Sequence, residues 1–401
     1  NGYSITETSI NSTGDTKYGV GFFGAISDSA RIRNVHLHQV SIESNNTETW
    51  FVGGLVGVAN KGIIKNSHVI GGDISGSYFV GGLVGSAVND SLIENSYVVA
   101  DKVQASRSGI GGLVGNLQDS LITSSYARTN LVESQYSTGG QVGGLVGQMT
   151  NSDLLKSYAD NLIVTALGSN IGGLVGYLAS SRIDSSYAIS HLDIAGHLNI
   201  GGLVGRAKDA SKVYASYARS NSVAPRFSAK RGVAGFVGYL GRSPTIANSY
   251  SFNRNRILKN GFGGFISNHR ESPDAIKVHN SYSVAPSPLI SIPRFGLIKT
   301  SDSYWDKSIA TIEGNSLDTT ARTTSELKSP TSFGGDFANW GKGWCDPTTG
   351  RFTAEQSVAI EGGYGNNTAW DLGSSTQYPA LTCLLDLTPE QQFELNERFL
   401  D

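Results

Sequence analysis

Residues 52–57 read VGGLVG, and the same six letters return at 80–85 and 142–147, with IGGLVG at 110–115, 171–176 and 200–205. The leucine of this motif recurs at Leu55, Leu83, Leu113, Leu145, Leu174 and Leu203. Degenerate copies put an aromatic there, at Phe22 in VGFFG, Phe236 in AGFVG and Phe265 in GGFIS, and a weaker copy, FGLI, adds Leu297. From Leu55 to Phe265 the steps run from 28 to 33 residues. A fixed period of that size marks a repeat array, so the 401 residues read as one elongated body rather than two or three globules.

A second motif runs in phase with the first. It reads NSH at 66, NSY at 95, SSY at 124, KSY at 156, SSY at 185, ASY at 215, NSY at 248, NSY at 280 and DSY at 302. Serine holds the middle place in all nine copies and tyrosine follows in eight, His68 being the exception. Helical repeats need long runs of good helix formers, whereas these units combine glycine and β-branched residues with polar clusters at short intervals. Residues 80–110 give two clear short strands and one ragged stretch, VGGLVG, LIENSYVV and DKVQASRSG, separated by turns.

A parallel β-helix with three strands per coil accounts for this, each strand pairing with its equivalent one coil away at about 4.8 Å. Neighbouring coils must then carry the same residue type at the same phase, which is why one hexapeptide is spelt so often. Period two places Ile93 in the core and Glu94 in water. Simple parity also turns the tyrosine column inward and the serine column outward, unless a bend at the preceding residue reverses both. The repeated glycines read as a corner device, since no copy continues into Gly-Lys-Ser/Thr or opens a helical pattern as a phosphate loop requires. Leu113→Asp is expected to be severe.

The period fails after Tyr304. SYWDKS, TTARTTSELKSPTSF, GWCDPTTG and AWDLGSSTQYPALTC read as a capping region anchored by Trp305, Trp340, Trp344 and Trp370, because an open solenoid end exposes strand edges and core. The closing TPEQQFELNERFLD reads as a helix opened by Thr388 with Gln391 in a capping box. Cys345 and Cys383, the two cysteines, are either a disulfide of an oxidising compartment or two free buried thiols. The chain opens on Asn, which reads as a segment of a longer precursor, with an N-terminal cap that is short or missing. No apolar run approaches the roughly 20 residues of a helical membrane span.

GGLVG with a trailing SYA or SYV, closed by YWD, TTSELKSP and WDLGSSTQYPAL, resembles the GLUG-motif repeat proteins over about residues 19–385. That resemblance implies a bacterial secreted or cell-surface β-solenoid, often a stalk or adhesin-like part of a larger polypeptide. It implies no activity, because the motif repeats a corner rather than a site.

Chemistry is sparse in the sequence. Asp73, Asp90, Asp101, Asp119, Asp153 and Asp184 sit singly in different turns, whereas a glycoside hydrolase needs converging carboxylates. The seven histidines form no metal-ligand spacing, and no HExxH, GxSxG, EF-hand or GGxGxD pattern occurs. No cofactor is expected. The net charge of −2 conceals a basic stretch: residues 201–260 carry eleven Lys or Arg against Asp209 alone. Arg206, Lys208, Lys212, Arg219, Arg226, Lys230, Arg231, Arg242, Arg254 and Arg256 are the candidate binding residues, a basic face for an anionic polysaccharide or other cell-surface glycan.

The expectation is therefore an all-β chain with two parts. Residues 1–305 form a parallel β-helix of about ten coils and residues 306–401 a non-repeating C-terminal cap. Its function is expected to be non-enzymatic adhesion or matrix contact outside the cell. The alternatives are a polysaccharide lyase or hydrolase, and a filament or stalk subunit that self-associates through open strand edges.

Overall fold

The computed structural model describes residues 4–13, 19–45, 49–137, 139–226, 232–254, 262–269, 276–286, 299–301, 303–309 and 321–328, with four two-residue strands at 344–345, 352–353, 370–371 and 380–381. It is a parallel β-solenoid. Each coil carries four strands rather than three, as the coil from Val80 shows: Val80–Gly81, Val84–Val88, Leu92–Glu94 and Tyr97–Ala105. We call the sheets they join, in that order, the first, second, third and tyrosine sheets; they hold 8, 9, 10 and 15 strands. The fourth strand arises because VGGLVG bends at its own centre, splitting into two. Eight coils, from Val52 to Val284, carry all four strands, two fewer than the repeat count suggests, because the outermost copies supply only some of them.

Inward columns form the core. Ile64, Ile93, Ile122, Leu154, Ile183, Val213, Ile246 and Val278 follow one another in register along the third sheet, and all are buried. Leu55, Leu83, Leu113, Leu145, Leu174, Leu203, Phe236 and Phe265 stand inside the glycine corner, each fully buried. In the tyrosine sheet the inward column runs Val98, Ala127, Ala159, Ala188, Ala218, Ser251, Ser283 and then Trp305, which closes the core where the repeat stops.

Two devices recur at the corners. At the first corner a Cβ on Gly115 would lie 2.7 Å from Gly85 O, and one on Gly147 would lie 2.7 Å from Gly115 O, so close backbone approach excludes side chains. At the corner between the third and tyrosine sheets, the residue before the invariant serine is left-handed: φ is +47° at Asn95, +48° at Ser124, +44° at Lys156 and +45° at Ala215. The serine after it faces inward. Ser96 Oγ donates to Glu94 O at 2.8 Å and accepts from Ser67 N–H at 3.2 Å. Ser125, Ser157, Ser186, Ser216, Ser249 and Ser281 repeat both bonds. A parallel ladder of Ser91, Ser120, Ser152 and Ser181 lines the corner between the second and third sheets.

This left-handed bend reverses the parity expected from the sequence. The tyrosines face outward, on the opposite side of their strands from the core column, and stack ring on ring: Tyr97 on Tyr126 at 4.7 Å, Tyr126 on Tyr158 at 4.8 Å, Tyr158 on Tyr187 at 4.7 Å. Tyr217, Tyr250 and Tyr282 continue the column and are fully buried.

Beyond Asp306 the tyrosine sheet accepts one more strand, Ala321–Arg322, followed by a single helical turn, Thr324–Lys328. Thr323 and Glu326 form its capping box: Thr323 N–H donates to Glu326 Oε2 at 2.7 Å and Glu326 N–H to Thr323 Oγ1 at 3.2 Å. That backbone hydrogen bond, outweighing a smaller effect of burial, holds the Glu326 carboxyl below its ordinary range. Trp344–Cys345 pairs antiparallel with Phe352–Thr353, and Trp370–Asp371 with Ala380–Leu381. The Cys345 side chain, Cys383, Trp340 and the expected terminal helix lie outside the described residues.

Two substitutions test the corner devices by chemical denaturation. Ser157→Ala leaves the buried Ser125 N–H without its acceptor and costs about 1–3 kcal/mol. Ser124→Asn relieves a left-handed serine and gains roughly 0.5–1 kcal/mol, since asparagine tolerates that conformation better.

Candidate functional site

The outer face of the tyrosine sheet carries a second outward column two residues beyond the tyrosines. Val99, Arg128, Asp160 and Ile189 follow in register, from four successive coils. Beside them a cavity of about 360 Å³ opens, lined by Asp101, Arg128, Asn130, Asp160 and His191, with Ile70 and Leu162 as its apolar walls.

Its polar groups are tied to one another across coils. Arg128 Nε lies 3.3 Å from Asp160 Oδ2, and His191 Nε2 lies 2.6 Å from Asp160 Oδ1, so the proton shared there is on the imidazole nitrogen while Asp160 is ionised. Asn130 donates to Asp101 Oδ1 at 3.1 Å. Arg128 also spans the tyrosine column, its guanidinium carbon 5.3 Å from the Tyr126 ring centre and 5.8 Å from that of Tyr158. Burial pushes the Asp160 carboxyl upward, but the His191 hydrogen bond and charge, followed by the Arg128 guanidinium, outweigh it and hold the group below the usual carboxylate range.

A bulge delivers the histidine. Asp160 pairs directly with Ile189, and the register then slips between Ser190 and Asp193 on both sides of that strand. The extra residue frees His191 and Leu192 from the ladder, turning His191 back to Asp160 and leaving Leu192 exposed. In the same coil the tyrosine stack loosens: Tyr187 and Tyr217 are 6.0 Å apart and tilted by 39°.

The basic stretch is spread around the rod. Arg206 and Lys208 lie on the second sheet, Arg206 in register between Tyr177 and Tyr239 with its guanidinium 4.9 Å over the latter, and Lys208 2.8 Å from Asp209. Lys212 lies on the third sheet and Arg219 on the tyrosine sheet. Arg226 and Arg254 follow tyrosine-sheet strands, Arg226 reaching Glu133 at 4.0 Å, and Arg242 follows a second-sheet strand. Lys230, Arg231 and Arg256 lie outside the described residues. Charges close in sequence diverge because a few residues carry the chain round a corner. Arg128, Asp160 and His191 converge because 32 and 31 residues separate them, about one coil each. A column-by-column comparison of the repeats, rather than a search for local clusters, would have found them. Among the described residues, no group of three or more His, Cys, Asp or Glu is arranged to hold a metal ion.

Because the folded value of Asp160 is lowered, its contribution to stability is whole above the ordinary carboxylate pKa and is lost as pH falls through the lowered one. Asp160→Asn is expected to destabilise by about 1 kcal/mol at pH 7, the scale of a partly exposed pair. Paired denaturation curves of parent and variant should converge at the acid end.

No curated protein and no solved structure matches the chain. Residues 76–104, which run from the end of one coil's tyrosine-sheet strand through the first, second and third sheets into the next, match the family model described as the GLUG motif.

Proposed function

We propose that this GLUG-motif solenoid is a non-enzymatic module of a secreted or cell-surface protein, and that the cavity on its tyrosine sheet contacts a polysaccharide. The observation that carries the reading is the cavity itself. Its donors, Arg128, Asn130 and His191, alternate with the acceptors Asp101 and Asp160, Arg128 and Asp160 held in register by the ladder and His191 turned in by the bulge. Hydroxyl-rich polymers both donate and accept, so a mixed wall suits them better than a wall of one sign, and rigid strands lower the ordering cost of binding. The tyrosines contribute edges and hydroxyls rather than stacking platforms, since each ring face is covered by the ring of the next coil.

Cleavage is the competing reading, and the Asp160–His191 contact is the observation in its favour. Both Asp160 oxygens are engaged by donors, and the carboxyl is held ionised. That supports a fixed acceptor over a general acid, which needs a raised pKa.

The experiment is retention of the full chain on neutral and acidic polysaccharides at two salt concentrations, with assay of each eluate for new chain ends. Retention without new ends, weakened at least fivefold by Arg128→Ala or Asp160→Ala, is expected. New chain ends would overturn the non-enzymatic reading. Retention insensitive to both variants but lost on Arg206→Ala or Arg219→Ala would move the contact to the basic stretch.

A further inference from the structure

The outward columns of the tyrosine sheet break their own rule at the N-terminal end of the rod. Toward the N-terminus the column of Tyr97, Tyr126, Tyr158 and Tyr187 is continued by two histidines, His68 and His36, in direct register. In the neighbouring column His38 stands opposite Ile70. Three imidazoles therefore stand on one outer face of two adjacent parallel strands.

Two of them serve the stack. The His68 ring lies 4.1 Å from His36 and 4.5 Å from Tyr97, both nearly parallel, as a tyrosine would in that place. His38 adds nothing to this column. It stands edge-on to His68, at 5.4 Å and 70°, and brings its Nε2 to 3.4 Å from His68 Nε2. Two ring nitrogens facing each other share at most one proton. A tetrahedral metal with nitrogen ligands at about 2.0–2.1 Å sets those ligands roughly 3.3–3.4 Å apart. The observed separation is that edge.

We propose that His38 and His68 form a two-imidazole site for a late first-row divalent metal ion, such as copper(II) or zinc(II). The backbone register fixes both side chains before the metal arrives, which favours binding without rearrangement. Thr6, in register with His38 on its other side, places a hydroxyl on the same face, and solvent completes the coordination. His36 lies face to face with His68 and takes part only if its ring turns. The bound ion cross-links two consecutive coils.

The test is titration of untagged full-length chain, stripped with chelator, with copper(II) and separately with zinc(II), followed by calorimetry and, for copper, by its visible absorption. One equivalent should bind. His38→Ala and His68→Tyr should each weaken binding at least tenfold, while His191→Ala leaves it unchanged. His68→Tyr restores the residue that later coils carry, so the stack and the fold survive and loss of binding reports the ligand alone. Absence of binding, or binding indifferent to both His38→Ala and His68→Tyr, would overturn the proposal.

Discussion

Every strand of this solenoid depends on one constraint: its backbone donors and acceptors find their partners about one coil, or 30 residues, away. Leu83 N–H reaches Leu113 O at 2.9 Å, Leu113 N–H reaches Leu145 O at 2.9 Å, and Leu145 N–H reaches Leu174 O at 2.9 Å. Because such a ladder is parallel and in register, a residue is always beside its own equivalent. Side chains that attract their own kind, such as tyrosine rings, aliphatic chains and hydroxyls that donate and accept, become columns. Opposite charges in one column pair across coils, as Lys65 and Glu94 do.

Strands alone would not close the coil, and the corners are where sequence is spent. At the bend the backbone amide of the serine leaves the strand ladder, and buried without an acceptor it would cost about 1–3 kcal/mol. The serine hydroxyl of the next coil accepts that amide, and donates in turn to the carbonyl two residues back, which also accepts a backbone N–H from the coil before. Alanine would leave that amide unpaired, which accounts for serine in every copy. Glycine solves a different problem at the first corner, where stacked backbones approach more closely than a Cβ allows.

Repeat architecture and core were legible because they are periodic. Ile93 and Leu113 fall inside, and the parallel ladder follows from phase alone. Orientation of the tyrosines was not, because it turns on the left-handed conformation at Asn95, Ser124, Lys156 and Ala215, and serine, lysine and alanine do not announce that conformation. VGGLVG looked like one strand because its bend is made by glycines with negative or extended φ rather than by a recognisable turn sequence. The candidate site stayed hidden for a geometric reason. Asp101, Arg128, Asp160 and His191 are solitary in sequence and become neighbours only when the chain is wound at the correct period, including one bulge that no local pattern reveals.

In such a body the repeated positions hold the fold together, and specific chemistry must sit where repetition lapses. A column that keeps one residue type contributes the same interaction at every level and distinguishes no point along the rod. The three departures on or beside the tyrosine sheet each do something the regular coil cannot. Histidines replace tyrosine at His36 and His68, where a third imidazole waits at hydrogen-bonding distance. An inserted residue at the fourth strand of one coil turns His191 onto Asp160. Trp305 replaces the small inward residues of seven earlier coils and fills the end of the core, which a valine or alanine could not close. Two of these create polar surface and one ends the hydrophobic column, so the same reading of departures separates the candidate sites from the cap without reference to any local motif.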